Sequence, residues 1–172
     1  MATPSEWGRA FALQADADIS AWNYLSDLGD EFPACQHLHF LQMACEKLTK
    51  AYLCHNGSDP LKIQSSHAYI RKVLPRILEY ELAELKTGND KINTFLGSMK
   101  LFAAEIDFLA PSNDDGGARP ENCEYPWLNN DKVIVPAKHR FWAADLLKQT
   151  NGQRILKMIS FAIKRYCDLE DS

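Results

Sequence analysis

Six residues hold most of the chemistry that this 172-residue chain offers. His67 and Arg71 stand one helical turn apart at the start of a predicted helix. Arg119, Tyr125, His139 and Arg140 come from a long irregular segment and its exit. Arginine presents a planar fork suited to phosphate oxygens, and histidine donates or relays a proton near neutral pH. An exposed tyrosine ring can stack on a base. Gathered at one end of a fold, the six would form an RNA- or nucleotide-binding site. The same residues also have a structural use, with His67 capping its helix, Arg119 paired to Glu121 or Glu124, and the aromatic rings pinning the segment to a core.

Other chemistries find less support. In Cys35-Gln36-His37-Leu38-His39, a helix puts Cys35 and His39 on one face and turns His37 toward Leu41, Ala44 and Leu48. Two ligands on one face need partners elsewhere, such as Cys54 or His55, so no metal is expected. There is no HExxH, no CxxC pair and no EF-hand loop. Asp115-Gly116-Gly117 reads as a turn, without the G-x-x-x-x-G-K-[ST] of a phosphate loop. No G-x-S-x-G elbow favours a serine triad, and a cysteine nucleophile needs a histidine that only the fold can bring near. No cofactor is expected.

The elements that must position these residues are helical. Apolar residues make up 46% of the chain, enough for one core, so residues 1–172 are read as a single domain. The central stretch is His37 to Leu53, where Leu38, Leu41, Cys45, Leu48 and Tyr52 alternate steps of three and four. Met43, Ala44 and Ala51 widen its apolar surface, which places it in the middle of a bundle. Gln42, Glu46, Thr49 and Lys50 read as its wet stripe.

Thr3-Pro4 caps a first helix that runs to about Ser26, with Trp7, Phe11, Ala15, Ile19 and Trp22 inward and Asp16 and Asp18 on the other side. Pro33 opens the central helix, and Asn56-Gly57 ends it. A loop bracketed by Asp59-Pro60 and Ser65-Ser66 precedes a third helix carrying Ile70, Val73, Leu74, Ile77, Leu78, Leu82 and Leu85, with Pro75 expected to kink it or mark its start. Thr87-Gly88-Asn89-Asp90 turns into a fourth helix with Ile92, Phe95, Leu96, Met99, Phe102, Ala103 and Ile106. Residues 110–137 form the long irregular loop, part of which Tyr125, Trp127 and Leu128 should hold down, and Val133-Ile134-Val135 resembles a short strand. Helices of about 138–149 and 153–168 close the chain, the last with Ile155, Leu156, Ile159, Ala162, Ile163 and Tyr166 inward. The predicted fold is all-α, an up-and-down helical bundle of five to six helices with one long loop between the fourth and fifth.

Composition narrows the setting. The five cysteines are odd in number and scattered, no signal peptide pattern opens the chain, and no apolar run reaches the roughly 18 residues of a membrane helix. A reducing cytoplasm and no membrane are expected. The net charge of −4 is unevenly spread. Lys132 to Arg165 holds eight basic residues and one acid, Asp145, a local +7 that leaves −11 for the remainder. Such segregation marks an anionic partner, two surfaces that pair in a dimer, or solvated faces that mix once folded.

The run His39-Phe40-Leu41-Gln42-Met43-Ala44-Cys45-Glu46-Lys47-Leu48-Thr49-Lys50-Ala51-Tyr52 resembles the second helix of the HEPN superfamily of small prokaryotic helical domains. Ala12, Asp16, Ala17 and Ala21 before it, and Ser66-His67 after it, extend the resemblance over roughly Phe11 to Leu82 and weakly to the last helix. Asn122-Cys123-Glu124-Tyr125-Pro126-Trp127 followed by Pro136-Ala137-Lys138-His139 looks like an uncharacterised branch of such proteins. The resemblance implies a bundle of four or more helices, often a homodimer, in defence, toxin–antitoxin or RNA-related systems. Many members are metal-independent ribonucleases with an arginine followed, four to six residues on, by a histidine. None of Arg9, Arg71, Arg76, Arg119, Arg140, Arg154 and Arg165 has a histidine at that spacing, and His67 precedes Arg71. Arg119-Pro120 and Glu124-Tyr125-Pro126 are similar to the Arg-Tyr-Pro region of non-nucleolytic branches, with the arginine and tyrosine separated.

Three expectations follow. The leading one is a HEPN-like binding or regulatory protein whose partner is RNA, a nucleotide or a cognate protein. A second is a divergent ribonuclease using His67 or His139 as acid–base and Arg71, Arg119 or Arg140 on phosphate. A third is a structural subunit whose opposed charges drive oligomerisation.

Overall fold

A capping box starts the fold. Thr3 Oγ1 accepts from the Glu6 amide at 3.2 Å, and the Glu6 carboxylate accepts from the Thr3 amide at 2.5 Å. In a computed structural model that describes residues 2–66, 69–84, 89–112 and 118–169, this box launches α1 (Pro4–Asp27). Gly29, at φ +60°, breaks the helix into a 3₁₀ turn at Gly29–Glu31, and Pro33 caps α2 (Ala34–His55). The return is antiparallel, since Ser26 bonds His37, Asp18 pairs with Lys47, and Gly8 lies beside Ala51 and Cys54. A Cβ on Gly8 would sit 3.3 Å from the Ala51 carbonyl oxygen, so the missing side chain sets how closely the two helices approach.

Three further helices complete the first part: α3 (Pro60–Gln64), α4 (Ile70–Glu84) and α5 (Asn89–Asp107). A hairpin of β1 (Trp127–Asn129) and β2 (Lys132–Ile134) follows, then α6 (Trp142–Lys148) and α7 (Thr150–Asp168). The described residues are thus all-α apart from one small two-stranded sheet, and α2 contacts every other helix. Leu38, Leu41 and Leu48 are fully buried, each worth roughly 2 kcal/mol in transfer free energy. The expected inward residues of α4, α5 and α7 are buried as the periodicity predicts, with Leu96 only partly covered; Leu85 and the Ile92 side chain lie outside the description. Among the described residues no helix is long and apolar enough to cross a membrane.

Several expectations need correction. The described residues form seven α-helices, more than the five to six expected, because the 59–66 loop contains α3, where Asp59 caps the Leu61 amide at 3.0 Å and Ile63 is buried. The expected strand belongs to a hairpin whose two-residue turn, Asn130-Asp131, has φ of 45° and 61°. Pro75 neither starts nor ends α4, which runs through it. The fifth predicted helix begins four residues late, since Pro136–Lys138 is a 3₁₀ turn and Phe141 caps α6. Of the three residues expected to hold the loop down, Trp127 is buried, while Tyr125 and Leu128 stay exposed. Asp18, expected to face away from the core, is buried against Lys47.

The largest correction concerns α2. Its expected wet stripe is dry, with Gln42, Glu46, Thr49 and Lys50 all buried. The outward side of α2 is instead Gln36, Phe40, Met43 and Lys47, exposed or half-buried, while α3 packs beside Lys50, whose Nζ donates to the Gln64 carbonyl at 2.8 Å.

The tightest backbone approach follows α6. A Cβ on Gly152 would lie 2.1 Å from the Leu146 carbonyl oxygen, whereas one on Gly97, in α5, would meet nothing within 4 Å. Gly152→Ala is therefore expected to lower the unfolding midpoint by several degrees, and Gly97→Ala to raise stability by about 0.5–1 kcal/mol, both read by urea or thermal unfolding. Equal stabilities for the two variants would contradict this packing.

Candidate functional site

Arg71 and Arg119 converge on one ring. Phe108, just past α5, lies beneath both guanidinium groups, with Arg119 Cζ 4.4 Å and Arg71 Cζ 5.7 Å from its centroid. Arg119 is held by a two-pronged pair, Nη1 and Nη2 each donating to a Glu105 carboxylate oxygen at 3.0 Å. Glu121 adds a contact to Nε at 3.7 Å. Hydrogen bonding to buried Glu105 pushes the Arg119 pKa up from its already high value. The expected partner Glu121 is thus secondary, while Glu124 faces His39 Nδ1 at 3.8 Å.

The irregular segment is built around Asn122. Its side-chain oxygen accepts from the Glu124 and Tyr125 amides at 2.9 and 2.7 Å, and its amide donates to the Pro120 carbonyl at 3.1 Å. Buried Cys123 and Trp127 anchor this turn to the core. His139 is wedged edge-on between Trp127 and Phe141, with centroids 4.9 and 4.8 Å away. Exposed Arg140 donates to both oxygens of Asp145, a pairing that raises its pKa.

Arg119, His139 and Arg140 line one cavity of about 240 Å³ with Glu105, Glu121 and Trp142. Arg71 shares only the Phe108 ring with Arg119, and Tyr125 stands 61% exposed on the turn. His67 lies outside the described residues, as does Asp115-Gly116-Gly117. The cavity is mixed in charge, and each arginine fork in it already holds a carboxylate. Arg119 thereby ties the irregular segment to α5.

The other chemistries also meet geometry. Among the described residues no three His, Cys, Asp or Glu side chains gather as a metal site. His37 instead bonds Ser26 Oγ at 3.1 Å, and burial together with the Lys148 charge lowers its pKa. All five cysteines are free thiols, and burial pushes each pKa up, Cys54 to about 11, which disfavours the nucleophilic thiolate.

Two features escaped the sequence reading. One is the polar stripe inside the bundle. Lys50 Nζ donates to Glu46 Oε1 at 2.7 Å, Gln42 Nε2 to Glu46 Oε2 at 3.3 Å, and Thr49 Oγ1 to the Glu46 carbonyl at 2.7 Å. A cavity of about 350 Å³ reaches it between His39, Gln42, Glu46, Ser112 and Glu124. Ala51, apolar and fully buried beside the stripe, was the signal that this flank is dry. Asp107 belongs to the same region, accepting from the Arg71 amide at 3.4 Å; burial raises its pKa, the Arg71 amide and charge lower it, and nearby Glu46 raises it.

The second feature is the solvent face of α7. Arg154, Lys157, Phe161 and Lys164 follow one another at steps of three, four and three, and all are exposed. The Arg154 guanidinium rests over Phe95, 4.6 Å from its centroid. This row is the complement of the inward pattern read from the sequence.

Lys50→Met removes the ammonium beside a buried carboxylate and is expected to cost about 3 kcal/mol in urea unfolding at neutral pH. A loss below about 1 kcal/mol would mean that the pair is immaterial. For Asp107 the folded pKa lies above the unfolded one, so the native state holds the proton more tightly and stability falls as pH rises past the ordinary value of 3.8. Asp107→Asn lacks that decline, so the stability difference should shift toward the variant as pH is raised from 3.8. Parallel pH–stability curves for the two proteins would refute the assignment.

No family model matches the chain, and no curated protein or solved structure matches it either.

Proposed function

We propose that this chain is a HEPN-like regulatory bundle that binds single-stranded RNA through the exposed face of α7. The observation that carries the reading is the row Arg154, Lys157, Phe161 and Lys164, three cations around one aromatic ring, on a molecule whose remaining charge is negative. Cations at helical spacing follow a phosphate backbone, and Phe161, 56% exposed, offers a ring for a base. Lys132 and Lys138 add exposed charge on the hairpin and the turn that follows it.

A binding role is favoured over nuclease action by how three of the five candidate catalytic groups, Arg119, Arg140 and His139, are used. Arg119 is committed to Glu105 and Arg140 to Asp145, and His139 is packed between two rings. A phosphate would have to displace a carboxylate from either arginine before gaining its fork.

Titration of the purified protein into labelled single-stranded RNA at low and moderate salt tests this. Three phosphate contacts give a slope of about −2 in log affinity against log salt. The double variant Lys157→Glu, Lys164→Glu should bind at least about tenfold more weakly with a shallower slope, and the RNA should keep its length. No binding at low salt, or unchanged binding by the double variant, would overturn the proposal. Shortened RNA would move the reading to a ribonuclease.

A further inference from the structure

At the far end of the same helix, four rings from three helices surround a cavity of about 260 Å³. Tyr52 and His55 come from the end of α2, Tyr80 from α4, and Tyr166, beside Arg165, from α7. Tyr52 and His55 meet Tyr166 edge-on, at centroid distances of 6.4 and 5.9 Å and interplanar angles of 73° and 82°. Arg165 lies between two of the rings, its Cζ 4.6 Å from the Tyr80 centroid and 5.2 Å from that of Tyr166. Behind it, buried Glu81 takes Nη2 at 2.6 Å.

A stability role for Arg165 accounts for Glu81 and the two stacked rings, but not for the cavity or the open side of Tyr80, which is 52% exposed. Arg165 Nε is buried without a hydrogen-bond partner among the described residues. Asn56, also on the wall, donates Nδ2 to the Tyr52 carbonyl at 2.7 Å, leaving its side-chain oxygen as an acceptor. Flat faces with a few polar atoms at their edges are what an unstacked base requires, and the open side of Tyr80 is such a face. The volume falls short of the roughly 300–1,000 Å³ of drug-sized pockets and suits one ring system.

Placement supplies the remaining argument. Phe161 stands one turn before Arg165, so the exposed row of α7 lies on the helix face next to the wall that Arg165 gives the cavity. From these contacts we infer that the cavity receives one nucleobase of a single-stranded RNA whose backbone follows Arg154, Lys157 and Lys164. This rests on the RNA-binding reading above and adds a base-holding subsite to it.

The test uses the full chain and oligoribonucleotides carrying 2-aminopurine at each position in turn. Stacking in the cavity should quench the fluorophore in one register, and an abasic nucleotide there should weaken binding about fivefold or more. Tyr80→Leu, with its thermal unfolding checked, should also bind about fivefold or more weakly with the salt slope unchanged, whereas Tyr80→Phe should bind like the parent. If the parent protein binds RNA but no register is quenched and the abasic RNA binds equally well, the base subsite is wrong and the RNA-binding reading survives. Loss equal for Tyr80→Phe and Tyr80→Leu would also refute a stacking role. Absence of RNA binding by the parent protein removes both.

Discussion

Burying Glu46 and Lys50 in the centre of a helical bundle is the constraint the other helices answer to. Removing two charges from water is costly, and their attraction offsets that only when the remaining polar atoms find partners. Here the partners come from two places: Gln42 on α2 itself, which donates to the Glu46 carboxylate, and the Gln64 carbonyl of α3, which accepts from Lys50. Lys50 also lies 5.9 Å from the Phe11 ring of α1. The short α3 thus has a physical role, since it brings a second, backbone acceptor to an ammonium that Glu46 alone leaves with spare donors.

The same logic of anchoring charge governs the irregular segment. Residues 118–141 contain little regular structure, yet Arg119 is fixed to α5 by two hydrogen bonds and by the Phe108 ring. Asn122 replaces a regular hydrogen-bond ladder with a local turn, and Trp127, His139 and Phe141 form an aromatic wedge beneath the hairpin. The residues that looked most like phosphate binders therefore hold the segment in place, and the exposed cations lie elsewhere. On α7 the two kinds of basic residue are neighbours. Arg165 turns inward to Glu81 and two tyrosines, while Lys164, one position earlier, points to solvent.

Much of this was legible from the chain alone. Apolar steps of three and four identified α1, α2, α4, α5 and α7, because a helix facing a core must repeat its apolar side chains every turn. The Thr3 cap, the all-α class and the net charge of the last segment are likewise local or additive properties. Tertiary packing decided the rest. A polar stripe is wet or dry according to what covers it, so Gln42, Glu46, Thr49 and Lys50 read as surface until α3 and the surrounding helices are placed. Which carboxylate Arg119 takes depended on α5 lying beside the irregular segment, across fourteen residues of chain. The cavity walled by Tyr52, Tyr80 and Tyr166 exists only because three helices end together, a meeting that spacing along the sequence does not encode.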